Sequence, residues 1–212
     1  WCISEKQLDA SIETMKKLRA ELSVNCPVLK GVSFFDTVSG GVAEYLDNIF
    51  CRLEQCTFPY AALTSDVLLA LLEHQATLTT IVMTVPGPVE PSGLDSIPSS
   101  KKFIGLLLKS CRRLTTLSIT GHQMDVDSME ENEIACNDLK ELRVRFSGLD
   151  TSAAIDSCLS RLVARKRIGD GLVDGSEGGG GAIGKRVCQQ VMRFTKLNTV
   201  WLGTRDCHLA TK

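Results

Sequence analysis

Residues 179–185 read GGGAIGK and match the spacing G-x-x-x-x-G-K. In a phosphate-binding loop that spacing lets backbone N–H groups and a Lys cradle a nucleotide. Such a loop needs Ser or Thr next, to hold Mg²⁺, and Arg186 stands there instead. It also needs a buried strand ahead of it, and Gly169 to Glu177 lacks the composition of one. A glycine-rich spacer is the expected reading. Asp125, Asp127, Glu130 and Glu131 form an acidic cluster without the central Gly or the terminal spacing of a calcium loop. Acidic residues opening a helix that runs toward Cys136 account for it, because a helix N-terminus favours negative charge. His74, His122 and His208 are scattered, and no H-x-x-x-H or C-x-x-C spacing occurs. Cys207 and His208 are adjacent, so in a strand they would point to opposite faces. No G-x-S-x-G elbow is present. These residues give no positive signal for catalysis, a cofactor or a metal, and the expectation is a protein that is not an enzyme.

The elements that would position these residues follow an internal repeat. Six segments share the spacing apolar-x-x-apolar-x-apolar: Leu29-Val32-Phe34, Leu53-Cys56-Phe58, Leu78-Ile81-Met83, Leu114-Leu117-Ile119, Leu139-Leu142-Val144 and Leu197-Val200-Leu202. Their leading Leu residues lie 24, 25, 36, 25 and 58 residues apart. Cys26, Cys111 and Cys136 each stand three residues before a leading Leu, Phe50 and Phe194 hold the same slot in two other units, and Gln75 holds it in the remaining one. A helical stripe precedes the strands, first at Leu8, Ile12, Met15, Leu18 and Leu22, then at Val42 to Ile49, Leu63 to Leu72, Phe103 to Leu108 and Val187 to Phe194. Within the strands the period switches to two, so Leu142 and Val144 face one side and Glu141, Arg143 and Arg145 the other. Helix, tight turn and short strand, repeated, predict an α/β solenoid, a horseshoe with parallel strands on its concave face and helices on its convex face.

Two stretches interrupt the repeat. Residues 85–100 hold four of the six Pro and predict an extended loop, which explains the interval of 36. Residues 168–184 are Gly-rich and predict a flexible excursion. With a helix over about Thr151 to Lys166, it explains the interval of 58. The whole of 1–212 thus reads as one solenoid fragment of about six repeats.

Composition narrows the partners. Lys plus Arg number 24 against 25 Asp plus Glu, for a net charge of −1, so the broad basic footprint of a nucleic-acid or anionic-membrane binder is missing. The longest apolar run, Val67 to Leu72, is too short to cross a bilayer. Without an initiator Met or a basic-then-apolar leader, Trp1 reads as an internal cut. Nine Cys, an odd number without paired spacing, fit a reducing cytoplasmic or nuclear setting rather than a disulfide framework.

LxxLxL with a Cys three residues ahead resembles the cysteine-containing leucine-rich repeats of F-box proteins. NCPVLKGVSF is close to the CPxLxxLxL form of that repeat, and LLKSCRRLTTLSI, ACNDLKELRVRFSGLD and VCQQVMRFTKLNTVWLG resemble fungal F-box/LRR-like proteins. The resemblance covers about Glu5 to Gly203. It implies that the repeats hold a protein substrate, while an F-box, which would lie upstream of Trp1, recruits the ubiquitin-ligase scaffold. The alternative is a leucine-rich-repeat scaffold or regulatory binder unrelated to ubiquitination. The chain departs from the family at the slot eight residues after the leading Leu, often Asn or Cys there, which reads Thr37, Ala61, Pro86, His122, Ser147 and Arg205 here. Irregular turns are expected in consequence.

The same alternation nominates a partner-binding surface. Thr116, Ser118 and Thr120, then Glu141, Arg143 and Arg145, then Thr199, Trp201 and Gly203 share the concave face, with Gly31, Ser33 and Phe35 at its far end. Trp201 and the Arg residues belong to the types that dominate interface energetics. A competing reading has Trp201 packed under a C-terminal tail, Arg205 to Lys212, as a cap.

Overall fold

The computed structural model describes residues 2–3, 29–34, 39–47, 52–59, 63–84, 100–130, 133–149, 151–168, 182–202 and 205–208. Eight strands form one sheet in strictly sequential order. They are β1 (Cys2–Ile3), β2 (Gly31–Phe34), β3 (Gln55–Pro59), β4 (Thr80–Thr84), β5 (Thr116–Met124), β6 (Glu141–Phe146), β7 (Thr199–Leu202) and β8 (Arg205–His208). Strands β1 to β7 are parallel, and β8 turns back antiparallel on β7. The helices are α1 (Ser39–Asp47), α2 (Ser65–Glu73), α3 (Ser100–Ser110), α4 (Val126–Glu130), α5 (Ser152–Ile168) and α6 (Ala182–Val191). The chain is therefore α/β. Parallel neighbours require crossover connections, and the alternating burial along the strands, with helix and strand residues in one core cluster, shows one face of the sheet covered by helices.

The repeat fixes the register. From β2 onward each parallel strand begins two residues after a leading Leu, and Val32, Cys56, Ile81, Leu117, Leu142 and Val200 align across the sheet as one buried row. The leading Leu residues from Leu53 to Leu197 are themselves buried beneath it. Between units the backbone repeats one device. The carbonyl after each leading Leu accepts two N–H groups from the next unit: Lys30 from Glu54 and Gln55, Glu54 from Thr79 and Thr80, Thr79 from Thr115 and Thr116, Thr115 from Lys140 and Glu141, and Lys140 from Asn198 and Thr199. Turns into three strands close in the same way, with the Leu N–H donating to the carbonyl three residues back: Leu114 to Cys111, Leu139 to Cys136 and Leu197 to Phe194. Cys111, Cys136 and Phe194 are buried there, because that slot lies where helix bends into strand. Leu63, Met124 and Leu149, ten residues after their leading Leu, are buried as well, so three units close with an apolar side chain although the Asn ladder is missing.

Helix residues join the strand rows in one core cluster. Thr64 caps α2, its hydroxyl accepting from the Val67 N–H at 3.4 Å, and Val67, Leu68, Ala70 and Leu71 turn inward at helical spacing. Phe34 and Tyr45 meet edge to face at 5.3 Å and tie α1 to β2.

Three expectations change. The excursion placed at 168–184 is shorter, since α5 runs through Ile168 and α6 begins at Ala182, and Gly184 is buried against Leu149. Strand β5 continues to Met124, past the hexad, through a register shift between Ile119 and Gln123. The two edge strands, β1 and β8, lie outside the repeat pattern and were not anticipated. Residues 85–99 of the Pro-rich stretch, the first helical stripe at Leu8 to Leu22, and Cys26 lie outside the described residues, while Ser100 already opens α3. No helix among the described residues is long and apolar enough to cross a membrane.

Candidate partner-binding face

The sheet face opposite the helices is built by the out-facing positions of each strand. Gln55, Thr80, Thr116, Glu141 and Thr199 align as one row, and Ser33, Thr57, Val82, Ser118, Arg143 and Trp201 as the next. Pro59 and Thr84 are paired beyond them, and Arg145 follows Arg143 on β6. The burial alternates strictly along β2, β4, β6 and β7, with each out-facing residue half-buried between fully buried neighbours. That alternation is what one covered and one open face require.

The expected site residues fall into four groups. Thr116, Glu141, Arg143, Arg145 and Trp201 are on this face and partly exposed. Ser118 is on it too but is only 8% exposed, because a small side chain is overshadowed between Val82 and Arg143; its direct contact with a partner is thereby reduced. Phe35 lies outside the described residues, as does Gly203. Thr120 is in β5, where the register shift removes it from the regular row. Alternation alone would have added Thr57, Val82 and Thr84, which occupy the middle of the face.

Charge on the face is organised within β6. The Arg143 Nε donates to Glu141 Oε1 at 2.5 Å, an i to i+2 pair on one side of one strand. No salt bridge joins Arg145 to an acidic residue among those whose side chains are described. Trp201 stands directly across from Arg143 on β7. On its other side Trp201 is paired in register with Asp206 of β8, so the backbone of the C-terminal segment occupies the edge that the cap reading assigned to it.

The acidic cluster and the glycine-rich near-match turn out to be one structural feature. Arg186, which replaced the expected Ser or Thr, forks onto Glu130 at 2.9 and 2.5 Å and also donates to Asp127. The described element ahead of α6 is the helix α5. Arg193 donates to the Met129 carbonyl at 3.0 Å, so two arginines fasten the segment around α6 to α4 across about one repeat. The Arg186 hydrogen bonds hold the Glu130 carboxyl below its usual range. Lys196 and Asp138, which both precede a leading Leu, pair between the same two units, and Lys30 pairs with Glu54 at 3.1 Å one step earlier.

Buried polar groups lie on the helix side. His74, the C-cap of α2, accepts the Leu53 N–H on Nδ1 at 3.5 Å, and its buried Nε2 meets no hydrogen-bond partner at normal distance among the described residues. Desolvation lowers its pKa, against the opposing pull of the Leu46 carbonyl, Glu73 and Asp47. Cys56, Cys111, Cys136, Cys158 and Cys188 are free and buried, and burial pushes the Cys111 and Cys136 thiols up to about 12. Thiolates are the reactive form, so these side chains are held inert. Among the described residues no group of His, Cys, Asp and Glu is arranged to hold a metal ion.

No family model matches the chain. No curated protein and no solved structure matches it either.

Proposed function

We propose that the chain is a leucine-rich-repeat solenoid that binds another protein on its open sheet face. In this reading it is the substrate-recognition part of an F-box-type ubiquitin-ligase adaptor working in the cytoplasm or nucleus. The observation that carries the binding reading is the row Ser118, Arg143 and Trp201, which puts an aromatic and a fixed guanidinium side by side on a face of mostly small polar residues. Those two residue types contribute most to interface energy, and small neighbours leave room for a ligand. The repeat reading is supported by the sequential strand order, the two-N–H device recurring at each unit, and Cys at the slot before the leading Leu. Five buried free thiols fit a reducing compartment. The ubiquitin connection rests on the resemblance alone.

The test has two arms. Trp201→Ala and Arg143→Ala are each assayed for folding and for partner capture from lysate. Lost partners with retained stability support the binding face. Unfolding by Trp201→Ala together with unchanged capture by Arg143→Ala refutes it at these residues and favours the cap. In the second arm the gene is read upstream of Trp1 and the extended protein is offered the ubiquitin-ligase scaffold. An F-box that captures the scaffold supports the adaptor. Capture of a partner without any F-box or scaffold binding leaves a leucine-rich-repeat scaffold unrelated to ubiquitination.

A further inference from the structure

Leu53 is gripped by the unit that follows it. Its N–H donates to His74 Nδ1 at 3.5 Å, and its carbonyl accepts the Thr77 hydroxyl at 2.7 Å. Both partners belong to the turn between α2 and β4, so that turn clasps the leading Leu of the preceding unit on both sides. His74 stands at a position that the repeat defines. The Leu114, Leu139 and Leu197 N–H groups donate to the carbonyls of Cys111, Cys136 and Phe194. The Leu78 N–H donates in the same way to the His74 carbonyl, one residue further back because this turn is longer. All four acceptor residues are buried. Phe194 cannot ionise, and burial keeps the thiols of Cys111 and Cys136 protonated. Of the four, His74 alone carries a group whose ordinary pKa lies near neutrality.

The clasp fixes where the ring carries its proton. An Nδ1 that accepts leaves the proton of the neutral ring on Nε2. A second proton turns Nδ1 into a donor aimed at the Leu53 N–H, and attraction between the units becomes repulsion. Asp47 at the end of α1, Glu73 on α2 itself and the Leu46 carbonyl favour that proton, yet desolvation outweighs them. Beside Leu53, Arg52 is exposed and Glu54 is paired with Lys30. We infer that His74 is a proton-sensitive clasp: taking up a proton opens the joint between β3 and β4, while the joints that follow stay closed. Each unit of a repeat array is held by its neighbours, so the loss of one coupling is felt at one joint. Opening brings the ring to water, where it binds a proton below about pH 6.5. As pH falls through that value the opening equilibrium rises, by up to about tenfold per pH unit for one proton, until the ring in the closed joint is protonated as well. The same joint pairs Gln55 with Thr80 and Thr57 with Val82, so acid divides the open face of the sheet there.

Native-state hydrogen exchange, resolved by NMR, reads each joint through equivalent amides. Thr79 and Thr80 donate to the Glu54 carbonyl across the joint of β3 and β4, Thr115 and Thr116 to Thr79 across the next, and Lys140 and Glu141 to Thr115 across the one after. Rates are compared at about pH 7.5 and about pH 5.5, a span over which histidine titrates, after correction for the intrinsic pH dependence of exchange. Protection of Thr79 and Thr80 should fall about tenfold or more on acidification, while that of the amides at the two later joints changes by less than about twofold. His74→Gln keeps an acceptor without a titrating ring, and His74→Cys installs the residue that the next two units use. Either variant should hold the protection of Thr79 and Thr80 level across the same span. The inference is overturned if the three joints lose protection together, if Thr79 and Thr80 respond no more than Thr115 and Thr116, or if the acid response survives in the variants. Should neither variant fold, the comparison of joints within the native chain decides on its own.

Discussion

Leu142 and Arg143 are adjacent in β6 and lie on opposite faces, so replacing each by Ala separates the two faces energetically. Leu142 is fully buried, with Leu117 on one side of it and Val200 on the other in the same row. Removing three carbons at about 0.8 kcal/mol per buried CH₂ gives a transfer loss of about 2.4 kcal/mol. The flanking strands are held by ladder hydrogen bonds and cannot close over the gap, so the cavity contribution raises the cost to about 3–5 kcal/mol. Arg143→Ala loses one ion pair whose side chains are 43% and 31% exposed. Water and salt screen such a pair, and the cost is about 0–1 kcal/mol. Urea unfolding followed by circular dichroism measures both, through a change in midpoint at constant slope. Leu142→Ala below about 0.5 kcal/mol, or Arg143→Ala costing as much as Leu142→Ala, would refute the assignment of faces.

Three further outcomes are expected. Site-resolved thiol labelling of the native protein should leave Cys111 and Cys136 unmodified until denaturant is added, whereas rapid labelling of both would show that the slot before the leading Leu is open. Because burial lowers the His74 pKa, the unfolded chain binds more protons below about pH 6.5, so stability should fall as pH drops through that value. His74→Gln, which keeps an acceptor for the Leu53 N–H, should remove part of that slope, and an unchanged pH profile would contradict the buried neutral ring. Gly148→Ala should cost about 1–2 kcal/mol, because its φ is +78° and the new Cβ would stand 2.6 Å from Ile183 Cδ1. Ile183 is 37% exposed and can swing aside, so the backbone conformation accounts for the loss; a neutral result in thermal unfolding would show that the turn relaxes.

What was legible in the sequence is what recurs. The hexads located β2 to β7 because each strand buries two residues at period two behind a leading Leu, and the same constraint is imposed afresh in every unit. The helices α1, α2, α3 and α6 were legible from their apolar stripes for the same reason. Gly179 to Lys185 was harder, since Ala182, Ile183 and Gly184 look like the tail of a glycine run. Their helical state comes from packing, with Gly184 against Leu149 and Ile183 beside Gly148, contacts made by residues more than 30 positions earlier in the chain.

The remainder depends on which units lie side by side, and a single chain does not write that down. Asp127, Glu130 and Arg186 each had a local explanation: acids at a helix start and a basic residue spoiling a nucleotide motif. Only the stacking of α4 against α6 makes them one ion-pair group, and α5 and the excursion separate them in sequence. The bulge in β5 has the same origin. Thr116 to Met124 alternates poorly, because residues 120–122 are extra relative to β6, and the excess becomes visible only when Gln123 is set opposite Arg145. Two of the rows that the alternation nominated, through Thr116, Glu141 and Thr199 and through Ser118, Arg143 and Trp201, are aligned by the strand pairing, whereas Thr120 is not aligned with Arg145. Glu141 and Arg143 pair because they stand two apart on one strand, and Arg145 faces Gln123 across a register shift rather than the next residue of the repeat. A strictly regular repeat would offer equivalent positions at every unit. The register shift between β5 and β6 makes that step of the face inequivalent to the others.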